Sequence, residues 1–181
     1  MQTRRGGSRI VFIFPVFGIA IKFPIIHFFE AIRQFFLRKR WRKWKYIKRY
    51  FSRPMESNFG FRGLLFGGLS SNWNEFCFYW KTKNSLLQPT YISFFGFFNI
   101  QRHGKACQLQ HIDLWCQLNE LTNEKVYDDS HHFANPHNFC FHDNKLQMLD
   151  YGSRRCQNVI MQYGKKIVEL FNPEYYWKNE K

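Results

Sequence analysis

Residues 10–29, IVFIFPVFGIAIKFPIIHFF, are the feature that most restricts how this chain can begin. The run is long enough to cross a bilayer and has basic residues on both sides, so a spanning helix is one reading of it. Lys22 near its middle, Pro15, Pro24 and a similar flank charge at both ends oppose that reading. The β-branched and aromatic residues of RIVFIF and GIAIKF predict instead two adjacent strands, joined over PVF. No small-residue cleavage site follows the run, so a secretory leader of the usual form is not expected.

Residues 25–53 change character. An apolar helical rhythm gives way to RKRWRKWKYIKRYFSR, which predicts a long cationic helix. Ten basic residues and no acidic one lie between Arg33 and Arg53, with Arg40, Arg42 and Lys43 in the densest part. Such a surface suits an anionic partner: nucleic acid, an anionic membrane or an acidic protein. A solvated helix with its aromatic residues packed inward is the alternative. Pro54 to Leu69 has four glycines and no period, so it reads as a connector.

A helix follows in SSNWNEFCFYWKTKN, capped by Ser70, Ser71 or Asn72, with Glu75 in its first turns. TYISFFGFFNIQ and ACQLQHIDLW read as strands joined at RHGK. A short polar helix is expected over residues 115–126, a hairpin in NFCF and KLQMLD, and a last helix in NVIMQYGKKIVELF. In that hairpin, alternation puts Cys140 and His142 on one face, with Phe139 and Phe141 on the other.

The net charge of +14 gives the chain a field that favours polyanions, nucleotides among them. Its five cysteines are odd in number and include no CxxC pair, which argues against a secreted disulfide scaffold. The expected setting is cytoplasmic, with attachment to a membrane surface as the variant.

Read in order, the chain offers a strand with Lys22 in AIK, a helix with Glu75, a hairpin, NPHN with Asn138, and twelve residues later Asp150-Tyr151-Gly152. This order resembles the protein-kinase-like superfamily over about residues 6–153. The resemblance implies an α+β fold: a kinase-like small lobe of antiparallel strands plus a helix, a basic helical insertion and connector at 25–69, and a reduced helical lobe at 115–181. It also implies ATP and magnesium (Mg2+) as cofactors. Lys22 would hold phosphates and pair with Glu75, while Asn138 and Asp150 would hold the metal. Glu75 is preferred to Glu30 because it lies nineteen residues before Phe94 in the next strand, against sixty-four for Glu30. Gly6, Gly7 and Ser8 would line the phosphates, helped by Arg4, Arg5 or Arg9, although no earlier strand is evident. QHIDL, with Ile112 and Asp113, would be the hinge strand that meets adenine.

The departures from the family pattern are as informative. H-x-D-x-x-x-x-N would need aspartate at position 133, where this chain has Phe133, so the implied protein is an atypical phosphotransferase or a pseudokinase. His131, His132 and Asp129 are the nearest substitutes for the missing base, His132 being preferred over Asp129. A zinc site made from His131, His132, His137, Cys140 and His142 competes for the same loop. A reading from a different class is a non-enzymatic module that docks through residues 25–53.

Overall fold

The computed structural model describes residues 1–37, 44–53 and 60–174. It is an α+β structure with two antiparallel sheets. The first sheet has the order β1-β2-β3-β5-β4, built from β1 (Gln2–Arg5), β2 (Arg9–Phe14), β3 (Ile19–Pro24), β4 (Thr90–Ser93) and β5 (Asn99–Arg102). β2 and β3 are the two strands expected from the opening run, and a 3-10 turn over Pro15–Phe17 reverses the chain between them. Among the described residues, no helix is long and apolar enough to cross a membrane. Residues 10–29 are used up by β2, that turn, β3 and the start of a short helix.

β1 was not foreseen. Gln2–Arg5 is fully exposed and polar, so it has no apolar alternation to betray it, yet it pairs with β2 from Gln2↔Ile13 to Arg5↔Ile10. Gly6, Gly7 and Ser8 are therefore the turn of a hairpin, closed by Gly6 N–H donating to Arg9 O at 2.8 Å.

The cationic stretch yields α1 (Phe28–Leu37) and α2 (Trp44–Ser52); Arg40, Arg42 and Lys43 lie outside the described residues. One continuous helix is ruled out by packing. Tyr50 Oη donates to Ala31 O at 2.8 Å, whereas nineteen residues of straight helix would hold those residues about 28 Å apart. Phe35 also meets the ring of Phe51, so α2 folds back on α1.

α3 (Phe61–Thr82) corrects the expected connector, because residues 61–69 are its first turns. The glycines that disguised it serve close packing. A Cβ on Gly68 would stand 2.4 Å from Ser8 O and 2.9 Å from Pro24 Cβ, so only glycine lets α3 touch the β1–β2 turn. TYISFFGFFNIQ is likewise a hairpin in itself, β4 and β5 joined over Phe94–Phe98, rather than one strand.

ACQLQHIDLW is not a strand. Only β6 (Lys105–Ala106) is extended, and α4 (His111–Leu121) begins at once after Gln110. Leu114, Leu118 and Gln117 are buried at helical spacing, and Asp113 favours the helix start. The strand expected at Ile112 and Asp113 is thus a helix: both sit in the first turn of α4. The helix expected over 115–126 is this α4, ending at Leu121 and followed by a 3-10 turn over Lys125–Asp129.

The chain closes with α5 (Ser130–Phe133), β7 (Phe139–His142), β8 (Lys145–Met148) and α6 (Arg154–Leu170). Asp143 and Asn144, at φ 49° and 58°, form the hairpin turn between β7 and β8, and β6 adds the third strand of this sheet. The apolar core lies here, with Leu86, Leu114, Leu118, Phe139, Met148 and Ile160 all buried in it. The five cysteines are free thiols.

Candidate functional site

The register of the first sheet decides which side chains meet. Val11 stands opposite Lys22, Ile13 opposite Ala20, and Lys22 opposite Asn99, so Arg9, Val11, Ala20, Lys22, Asn99 and Gln101 share one face. That face carries buried polar groups, and α3 lies against β3 and β4. Buried charges persist only when paired, and here α3 supplies the partner.

Glu75, fully buried, receives Lys22 Nζ at 2.8 Å on Oε2 and Arg9 Nη1 at 2.5 Å on Oε1. Glu30, by contrast, is engaged by Arg33 at 2.9 Å on its own helix. Lys22 also donates to Leu149 O at 2.6 Å, which ties β3 to the loop carrying Asp150. Arg9 completes the link from the other side, with Nη2 at 2.5 Å from Asp150 Oδ1. The result is a chain of alternating charge, Lys22, Glu75, Arg9, Asp150, drawn from β3, α3, β2 and the segment after β8.

Its electrostatics follow from that alternation. Burial would raise the Asp150 carboxyl, but Arg9, His132 and Lys22 hold it well below the usual carboxylate range, so it is ionised at any ordinary pH. Burial lowers the Lys22 ammonium from its ordinary value and Glu75 offsets only part of this. Burial also opposes the charge of Arg9, yet Asp150 and Glu75 outweigh it and Arg9 stays charged.

The three residues of Asp-Tyr-Gly each have a separate partner. Tyr151 is fully buried, donates to Gln88 O at 2.7 Å and lies 2.8 Å from Thr90 Oγ1, which anchors this loop to β4. Gly152 touches α3 so closely that a Cβ would fall 2.2 Å from Ser71 Oγ and 2.8 Å from Ser71 O.

The loop after α5 converges on the same place. Asn138 Nδ2 donates to His132 O at 3.0 Å, and Leu149 N–H donates to Asn138 O at 2.7 Å, so Asn138 is held beside the Asp150 segment with Oδ1 as its acceptor. His132 bridges two carboxylates: Nδ1 lies 2.7 Å from Asp129 Oδ1 and Nε2 lies 3.7 Å from Asp150 Oδ1. Burial lowers the His132 pKa, but the hydrogen bond to Asp129 and the charge of Asp150 prevail and leave it raised. Burial acts upward on Asp129, and the hydrogen bonds from His132 and Ser153 with the charge of His132 leave it lowered.

Phe133 is turned away from this cluster. It is fully buried in the core and its ring lies 6.4 Å from that of Phe139, so the position is a packing site. The five candidate zinc ligands are not brought together as a set. Among the described residues no group of three or more His, Cys, Asp or Glu side chains could hold a metal ion. Cys140 is instead buried, accepts from Gln88 Nε2 at 2.8 Å and has its thiol pushed up to about 11, chiefly by burial.

Arg9 is the residue whose weight sequence reasoning missed. In the sequence it stands beside Arg4 and Arg5, both exposed on β1, as one more charge near phosphates. Alternation in RIVFIF groups Arg9 with Val11 and Ile13, but only the pairing of Val11 with Lys22 makes theirs the face that carries Lys22. No protein-family model, curated protein or solved structure matches this chain.

Proposed function

We propose that this chain is a nucleotide-binding protein of kinase-like architecture, acting as an atypical ATP-dependent phosphotransferase of low turnover. The observation that carries the reading is the meeting of Lys22, Glu75 and Asp150, residues far apart in sequence, around one cluster. A buried lysine fixed by a helix carboxylate, next to an ionised aspartate on a facing loop, is the arrangement that phosphoryl transfer uses to position a triphosphate. The turn Gly6-Gly7-Ser8 supports it. Nothing stands within 4 Å of where a Gly7 Cβ would be, which leaves room for backbone to approach phosphate.

The donors present suit magnesium. Asp150 is an ionised oxygen ligand and Asn138 Oδ1 a neutral one, and an ion that keeps several waters and binds substrate phosphates needs no larger protein cage. That ion would neutralise the charge of the phosphates. Lys22 would add a point charge, and Arg9 would keep Asp150 and Glu75 in place.

His132 is the group available to accept a proton. Asp129 fixes Nδ1, so Nε2 is the accepting atom, on the side of Asp150. Only the neutral imidazole accepts, and its pKa is raised, so turnover should climb as pH rises through and above the ordinary histidine value of 6.5. Transfer of label from radiolabelled ATP, with hydrolysis followed in parallel, tests this. His132→Ala should lower turnover by about 10²-fold or more with nucleotide affinity unchanged, and should flatten the pH profile. If bound ATP gives neither transfer nor hydrolysis in the parent protein, the catalytic part is overturned and the nucleotide serves structure or signalling.

A further inference from the structure

We infer that α1 and α2 form a docking surface for an anionic lipid bilayer. On α1, Phe28, Phe29, Ile32 and Phe36 recur at helical spacing, and Phe29 and Phe36 are 85% and 76% exposed. These are large apolar side chains on the outward arc, while Ala31 is buried and Phe35 contacts Phe51 of α2. An apolar stripe of this kind on a surface helix needs a cover.

α2 supplies the complementary feature. Lys45, Lys48 and Arg49 lie on its exposed arc, beside Trp44 at 76% exposure. Glu30, on α1 itself, is paired with Arg33 at 2.9 Å, and the sequence from Arg33 to Arg53 contains ten basic residues and no acid. Aromatic residues that insert below the headgroups and a cationic face that meets acidic lipid are the two forces that hold an interfacial helix.

Charge decides among the occupants. A second copy would press Lys45, Lys48 and Arg49 against their own counterparts in a chain of net charge +14, which opposes self-association through this face. Nucleic acid would use the cations and stack on rings, but Ile32 offers no stacking face and the stripe runs along a helix as insertion requires. A bilayer engages both parts. The surface uses none of the residues of the Lys22–Glu75–Asp150 cluster, so it stands or falls apart from the nucleotide reading.

Flotation of the full chain with phosphatidylcholine vesicles, with and without phosphatidylserine, tests the inference. The chain should float with the phosphatidylserine vesicles, less as salt rises, and far less with phosphatidylcholine alone. Phe29→Ser with Phe36→Ser should weaken binding at least about tenfold, with an unchanged melting temperature because both side chains are exposed. Any of these results would overturn it: no dependence on phosphatidylserine, flotation unaffected by the double substitution, or RNA binding without vesicle binding. A fall in molar mass by light scattering in the double variant would assign the stripe to a second copy instead.

Discussion

Glu75→Ala should destabilise the protein by about 3–5 kcal/mol, because it leaves two buried cations without their shared carboxylate. Lys22 and Arg9 both end on Glu75, one on each oxygen, and all three are buried. The loss should lower the melting temperature by about 10 °C, read by thermal unfolding followed by circular dichroism. Glu75→Gln should cost less, since an amide still accepts one hydrogen bond. A change of under about one degree in Glu75→Ala would mean that the charges find water instead and that the cluster does not hold the sheet to α3. Acid should act on the same network. The Asp150 carboxyl is depressed, so its contribution is present above the ordinary aspartate value of 3.8 and is lost as pH falls through the depressed value.

Placing at position 133 the aspartate of the protein-kinase-like pattern should fail. Phe133→Asp removes a fully buried ring from the core beside Phe139 and puts a carboxylate there. Truncating a buried phenylalanine costs about 3–5 kcal/mol, and an unpaired buried charge adds to that. The expected product is a chain without a cooperative melting transition and without a gain in turnover. A folded Phe133→Asp protein with faster phosphotransfer would show that position 133 faces the cluster, contrary to its burial.

The strands that carry Arg9 and Lys22 were legible because β-branched residues and Pro15 leave few alternatives for residues 9–24. So was the pairing of Lys22 with Glu75 over Glu30, since Glu75 lies on the helix that leads into β4. Elsewhere the reasons for failure are local. The first turns of α3 are hidden in the sequence because Gly67 and Gly68 lower helix propensity, while the contact that demands glycine there, Gly68 on Ser8 and Pro24, is long-range. ACQLQHIDLW looks like a strand when taken alone, although Leu114 and Leu118 are spaced for a helix. β1 carries no apolar alternation at all, so only its pairing with β2 makes it a strand. The site shows the same division. Lys22, Asn138 and Asp150 stand in short motifs, whereas the central place of Arg9 depends on a strand register that composition does not encode.

Thermal unfolding with ATP, with and without magnesium, tests the central claim most directly. A ligand that binds only the folded chain must stabilise it, by about 2.7 kcal/mol at a hundredfold excess over Kd. For a chain of this length that is a rise of about 5–10 °C in melting temperature. The account predicts such a rise with magnesium and ATP together, a smaller one with ATP alone, and loss of the magnesium-dependent part in Asp150→Ala. No stabilisation of the parent protein by magnesium-ATP at any concentration would contradict it.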